Sequence, residues 1–218
     1  MANRLKTRLD RFLVESGFVD SRHKAVALIL GGKVSVDGVI VDKPGKEIPL
    51  KACVELEHTP KYVSRGGIKL EGALEGFKID VKNKIAIDVG ASTGGFTDCL
   101  LSRGAQKVYA VDVGYGQLDW KLRQDSRVVV LERKNIRYLV RDEIADDIDI
   151  ATIDTSFISL KRVLPKVIEI ISDCGEIVAM IKPQFEVGKG EVGKGGVVRD
   201  PEKHQRIIEE IKKFSISS

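Results

Sequence analysis

Asp88, Asp112, Asp154 and Lys182 stand where charged side chains can act on a bound nucleoside. Asp154 directly follows the apolar run Ile148-Asp-Ile-Ala-Thr-Ile153, and Lys182 directly follows Ile177-Val-Ala-Met-Ile181. Such placement puts a side chain at the carboxyl edge of a parallel sheet, where ligands bind. Pro183 stops its strand just where the lysine emerges. A third apolar run ends in Asp88 and turns through Gly90-Ala-Ser-Thr-Gly-Gly95. Glycines there let a ligand lie against bare backbone and open positions with φ > 0. The turn is not G-x-G-x-x-G, which argues against a dinucleotide. Asp112, at the end of the next strand, suits a ribose diol, as an adenosyl nucleoside requires. It does not separate a nicotinamide cofactor from S-adenosylmethionine. Lys69 is a further amine on a helix, where a lone lysine is ordinarily a solvated charge.

The elements that must hold these groups alternate. The spacing predicts a helix from Ile68, with Leu70, Ala73, Leu74 and Phe77 on one side, then strands at 85–89, 107–113, 128–131, 148–154 and 176–181. Helices at 95–103 and 161–172 fall between them. That order is an α/β sheet with helices on both faces.

Residues 4–58 have a different grammar. Leu5, Leu9, Phe12 and Leu13 recur at helical spacing up to Gly17, and Ser21 caps a second helix with Ala25, Ala27, Leu28 and Leu30 as its apolar positions. Asp37-Gly38 joins two short alternating runs as a hairpin signal. Pro60 and the pair Gly66-Gly67 suit a linker, so the expected division is 4–58, a linker at 59–67, and 68–218.

Composition limits the function classes. No apolar run approaches the ~18 residues of a membrane span, and the N-terminus has no apolar signal core. Both point to a cytoplasmic protein. The net charge of +4 does not by itself prove a nucleic-acid partner. Cys53, Cys99 and Cys174 are scattered, with neither zinc spacing nor a disulfide framework.

Arg8-Leu-Asp-Arg-Phe-Leu-Val-Glu-Ser-Gly17, Ser21-Arg-His-Lys-Ala25 and Ile29-Leu-Gly-Gly-Lys-Val-Ser-Val-Asp-Gly38 resemble the small αL-type RNA-binding domain. It occurs in a small-subunit ribosomal protein, pseudouridine synthases and tyrosyl-tRNA synthetases. The resemblance implies that Arg8, Arg11, Ser21, Arg22, Lys24 and Lys33 face a folded RNA, mainly its phosphates and shape.

Four further motifs, in this order, resemble the TlyA family of haemolysin-A-like rRNA 2′-O-methyltransferases: Tyr62-Val-Ser-Arg-Gly-Gly-Ile-Lys-Leu70, Asp88-Val-Gly-Ala-Ser-Thr-Gly-Gly-Phe-Thr-Asp-Cys-Leu100, Asp154-Thr-Ser-Phe-Ile-Ser159 and Ile181-Lys-Pro-Gln-Phe-Glu186. The resemblance implies a Rossmann-like, FtsJ-type S-adenosylmethionine-dependent methyltransferase sheet preceded by a small α+β RNA-binding domain. It implies S-adenosylmethionine as methyl donor and a cytidine 2′-hydroxyl of ribosomal RNA as acceptor, in one or both subunits. Lys69, Asp154 and Lys182 match three members of the Lys-Asp-Lys-Glu tetrad, with Lys182 as general base, Asp154 orienting it and Lys69 steering the substrate. Asp88, Gly90, Ser92, Thr93, Gly94 and Gly95 would hold the donor, with Asp112 at its ribose and Asn135 near the adenine. Arg65 joins the RNA-facing set.

The chain departs from the family at its fourth acid. There, the helix matched by 201–214 precedes two strands carrying that acid, and Phe214-Ser-Ile-Ser-Ser218 reads as a stub of the first. Glu186 and Glu191 do not match its position. The expectation is a weakened or inactive enzyme if the chain is complete, the alternative being a truncated chain, with an apolar sheet edge at 176–181. An RNA-binding protein without catalysis is the second reading. A membrane-active haemolysin is disfavoured by the lack of a signal peptide, a span or a strongly apolar amphipathic helix.

Overall fold

The computed structural model describes residues 6–56, 61–188 and 190–217. Its contacts divide the chain into Met1–Thr59 and Pro60–Ser218. The expectations for Arg4, Leu5, Thr59, Pro60 and Ser218 lie outside the described residues.

The first unit runs β1 (Lys6–Arg8), α1 (Leu9–Glu15), α2 (Arg22–Leu30), β2 (Val34–Val36), β3 (Val39–Ile40), β4 (Glu47–Pro49) and β5 (Val54–Leu56). The expected first helix is corrected at its start: Lys6–Arg8 is extended and pairs antiparallel with β4. A strand partner some forty residues away overrides helical spacing there. Ser21 caps α2 as expected, accepting from Lys24 N at 3.3 Å. Its buried positions are Ala25 and Ile29, whereas Leu30 is exposed. The β2–β3 hairpin turns through Asp37 (φ 52°) and Gly38 (φ 78°), the two positive φ values of a type I′ turn. Leu9, Leu13, Ala25, Ile29, Val34 and Ile48 form the core.

Asp10 is buried, with its side chain 1% exposed. It accepts from Arg8 Nε at 3.1 Å, Arg22 Nε at 2.9 Å and Arg11 N at 3.0 Å. The hydrogen bond from Arg8, helped by Arg22, holds its carboxyl down at about 2. Asp10→Ala leaves these donors without their acceptor and is expected to destabilise the unit by about 1–3 kcal/mol. Hydrogen exchange at Leu9 and Ile29 in the full chain reads this, and unchanged protection would refute it. Because the folded carboxyl is depressed, the Asp10 contribution is present above the ordinary value of 3.8 and is lost as pH falls toward about 2.

The second unit runs α3 (Arg65–Phe77), β6 (Ile85–Val89), α4 (Gly95–Ser102), β7 (Lys107–Asp112), α5 (Trp120–Arg123), β8 (Val128–Glu132), β9 (Ile148–Ile153), α6 (Leu164–Ile170), β10 (Ile171–Ala179), α7 (Pro183–Glu186) and α8 (Pro201–Ser217). Five parallel strands lie in the order β10-β9-β6-β7-β8. Alternation along the strands feeds two cores. Ala86, Val108 and Ala110 pack with Leu70, Leu74 and Leu100 of α3 and α4. Ile87, Val89, Tyr109 and Val111 pack on the other face with Val167, Ile207 and Ile211 of α6 and α8. Strand order reverses between β6 and β9, which makes their carboxyl ends a switch-point crevice.

Several expected boundaries move. Ser64 caps α3, so Arg65–Gly67 form its first turn and are not linker. Leu70 and Leu74 are buried as expected, but Phe77 is exposed. The 161–172 helix shortens to α6, and β10 begins at Ile171, with a register irregularity before Glu176. The expected stub at Phe214 is helical: α8 continues to Ser217, and Phe214 packs against the core. β10 is the end strand of the sheet, and its residues from Glu176 onward are half-buried.

Candidate active site

The segment before α3 is fixed to the second unit by side chains. Tyr62 is buried and its hydroxyl donates to Glu71 Oε1 at 2.9 Å, while Val63 N donates to Asp98 Oδ2 at 2.9 Å. Ser64 Oγ accepts from Gly66 N at 3.2 Å. With the start of α3 fixed in this way, Arg65 and Lys69 line a cleft of about 680 Å³ with Gly90, Ser92, Thr93, Gly95, Asp154 and Lys182. A second lobe of about 440 Å³ adjoins it and shares Gly90, Ser92, Asp154 and Ser156. Asp112, Gln117, Asn135 and Thr155 line this second lobe.

The glycines earn their positions by close approach. Gly90 has φ +88°, and a Cβ there would stand 3.0 Å from the Asp154 carbonyl oxygen and 3.2 Å from Thr155 Cα. The positive φ and the close approach of the Asp154–Thr155 backbone both favour glycine at this meeting of β6 and β9. A Cβ on Gly95 would fall 2.1 Å from Ser64 Oγ and 2.9 Å from Gly67 N, so α3 and α4 touch backbone to backbone. Gly95→Ala is expected to destabilise the unit by about 1–3 kcal/mol through overpacking. An unchanged melting temperature would show that the α3 start is free to shift.

Lys182 leaves β10 into the 680 Å³ lobe with its side chain 18% exposed. Its Nζ lies 2.5 Å from Asp154 Oδ1 and donates to Ser156 Oγ at 2.9 Å and to the Asp154 carbonyl at 3.2 Å. Asp154 Oδ1 is buried and has no hydrogen bond, so the lysine charge is what balances it. Lys69 lines the same lobe, but its Nζ points to Met180 Sδ at 4.0 Å.

Two expected donor-site residues stand off the cleft wall. Asp88 is fully buried beneath the turn: its Oδ2 accepts from Thr97 N at 2.9 Å and Thr97 Oγ1 at 2.7 Å, and its Oδ1 from Thr152 Oγ1 at 3.3 Å. It supports the loop from below by joining β6, β9 and the third residue of α4. Gly94 faces Leu118 and Leu122. Asp112 is on the wall and also fixes the loop, accepting from Ser92 N and Gly114 N, both at 2.7 Å. A carboxylate has about four lone-pair sites, so it keeps acceptor capacity for a diol. Asn135 is on the wall while capping the turn at Arg137.

In the first unit Arg8 and Arg22 are shared with Asp10, yet at least half of each side chain still faces solvent. Arg11 pairs with Glu15 at 2.6 Å and Lys24 with Asp20 at 2.7 Å. Glu186 and Glu191 are engaged away from Lys182: Glu186 accepts from Ser159 Oγ and Leu160 N, and Glu191 from Arg206 and Gly188 N. Sequence reasoning passed over Ser156 and Thr155. Their signal was there, since polar residues that directly follow a strand-end acid share its place at the sheet edge.

A five-stranded parallel sheet with this reversal, a glycine turn at the switch point and lysine beside aspartate at the sheet's carboxyl edge defines a Rossmann-like nucleoside-binding enzyme fold. The chain belongs to the FtsJ-like methyltransferase family, which matches residues 62–218, and the S4 domain matches residues 7–51. It is similar to the 16S/23S rRNA (cytidine-2'-O)-methyltransferase TlyA of Mycobacterium tuberculosis (strain ATCC 25618 / H37Rv), at 49% identity over 205 residues, 93% of this chain and 76% of that protein. Hemolysin A of Brachyspira hyodysenteriae is 45% identical over 92% of this chain and 84% of its own length. A solved structure from Streptococcus thermophilus carrying a hemolysin name shares 42% identity with a TM-score of 0.71, covering 98% of this chain and 79% of that one. Among the described residues no helix is long and apolar enough to cross a membrane.

Proposed function

We propose that this protein methylates the 2′-hydroxyl of a cytidine in ribosomal RNA, with S-adenosylmethionine as donor. The observation that carries the reading is the convergence of Lys182, Asp154 and Lys69 on one cleft with the glycine turn. The donor, when bound, supplies an electrophilic methyl group on a sulfonium. Its fit is supported by the bare backbone at Gly90 and by Thr155 Oγ1, which is buried without a partner on the wall of the second lobe. Asp112, Asn135 and Thr155 would hold the nucleoside end; Gly90, Ser92, Thr93 and Gly95 would hold the amino-acid end.

A ribose hydroxyl is a weak nucleophile and must lose its proton as it attacks. Lys182, after releasing its own proton to solvent, takes that proton at Nζ. Asp154 keeps the amine at the cleft by ion pairing. Lys69 and Arg65, on the same wall, attract the RNA backbone and align the hydroxyl. The S4 domain grips the RNA through Arg8, Arg11, Ser21, Arg22, Lys24 and Lys33, mainly at phosphates. Asp10 pre-aligns Arg8 and Arg22, so less side-chain freedom is lost on binding.

The test is incubation of the full chain with purified ribosomal subunits and labelled donor, followed by mass mapping of the RNA. The expected product is 2′-O-methylcytidine in the RNA of the small or the large subunit. Subunit binding without methyl transfer would leave an RNA-binding protein and overturn the enzyme reading.

A further inference from the structure

We propose that Ser156 is a positioning residue for Lys182, the one partner of the amine that can both accept a hydrogen bond from it and donate one to it. The proposal rests on the reading of Lys182 as the base. Lys182 Nζ meets three oxygens: Asp154 Oδ1 at 2.5 Å, Ser156 Oγ at 2.9 Å and the Asp154 carbonyl at 3.2 Å. An ammonium has three N–H groups; here two are hydrogen-bonded, to Ser156 Oγ and the Asp154 carbonyl, and the Asp154 carboxylate supplies a charge contact. A neutral amine has two N–H groups and a lone pair, so one of the three contacts must change. The carbonyl and carboxylate oxygens of Asp154 only accept, whereas a serine hydroxyl accepts and donates.

The division of labour follows. The Asp154 carbonyl accepts one N–H group in either state, and the Asp154 carboxylate balances the charge while the lysine is protonated. Ser156 accepts another N–H while the lysine is charged, and turns its own O–H toward the lone pair once the lysine has released its proton to solvent. As the ribose hydroxyl arrives, the serine hydroxyl swings away and the lone pair faces the substrate. The proton then moves from the ribose oxygen to Nζ, and Ser156 returns to accepting without ever giving up its own proton. Ser156 is solvent-exposed and forms part of the wall of both lobes, so it has room to turn. Its removal also leaves no hole in the core.

The experiment compares wild type, Ser156→Ala and Ser156→Thr. The ligand-free chains are pulse-labelled with acetic anhydride and each lysine is quantified by mass spectrometry, with Lys69 as internal reference. Labelling of Lys182 is expected to rise several-fold in the alanine variant and to stay at the wild-type level in the threonine variant, which keeps the hydroxyl. In methyl transfer, Ser156→Ala is expected to lower kcat ~10-fold, a positioning loss, with KM for RNA and donor affinity by calorimetry unchanged. Threonine is expected to restore kcat. Unchanged Lys182 labelling in Ser156→Ala, or a threonine variant that behaves like alanine, would overturn the proposal. Because labelling needs neither donor nor RNA, a failure of the rRNA reading would show in the transfer arm alone.

Discussion

Lys182→Met is expected to lower kcat for methyl transfer by ~10²–10⁴-fold, the range for a lost general base. Donor affinity, measured by calorimetry, is expected to stay at the wild-type level. Methionine keeps the length and apolar stem of lysine, so the substitution removes the nitrogen with little loss of packing. What it also removes is the positive charge 2.5 Å from Asp154 Oδ1, a buried oxygen with no hydrogen bond of its own. Stranding that carboxylate is expected to destabilise the second unit by on the order of 1–3 kcal/mol. A second substitution separates the two effects. Asp154→Asn in the Lys182→Met background removes the unpaired charge, so stability should recover while the rate does not. A Lys182→Met enzyme within a few-fold of wild type would show that the ribose proton leaves by another route.

The other large effect is a dependence of stability on pH that traces to Asp88. Burial penalises its charged form and outweighs the hydrogen bonds from Thr97 and Thr152, pushing the carboxyl up to about 7 from an ordinary 3.8. Asp154 nearby adds to the same direction. The folded carboxyl therefore keeps its proton between about 4 and about 7, where the unfolded chain has already lost it. In that window the folded state binds more protons, so stability falls as pH rises and levels off above about 7. The total change is on the order of 4 kcal/mol. Asp88→Asn has no titrating group but still offers an oxygen to Thr97 N, and is expected to flatten the slope. Denaturant unfolding of both proteins at a series of pH values measures this. A slope that persists in the asparagine variant would assign the effect to another group. Asp10 does not confuse the result, because it acts only toward about 2.

Asp88 also shows where reading the chain in one dimension fails. An acid at the end of an apolar run looks the same whether it meets a ligand or sits below the loop that does. The difference lies in pairing: Asp88 stands opposite Thr152 in the β6–β9 register, 64 residues away in the chain. Asp112, Asp154 and Lys182 were legible because they lie at or just past the carboxyl ends of β7, β9 and β10, where they line the cleft; β10 ends at Ala179, two residues before the expected 181. The linker and the first helix failed for related reasons. Gly66 and Gly67 look like flexible residues in a row, but their small size lets the first turn of α3 lie against Tyr62 and α4. Lys6–Arg8 carries a helical pattern that cannot reveal a strand partner at Glu47–Pro49.

Charge pairing was equally hidden. Arg8 and Arg22 read as outward cations, and nothing in their spacing announced that both close on a buried Asp10. What the sequence determined alone was the alternation of strands and helices, the glycine turn and the identity of the groups at the strand ends, since apolar periodicity and turn chemistry are local. Only the tertiary structure decided which acid supports the loop, that Lys182 is held by both Asp154 and Ser156, and which glycines serve packing. Those outcomes depend on distances between residues far apart in the chain, and burial and hydrogen bonding act through those distances, not through sequence separation.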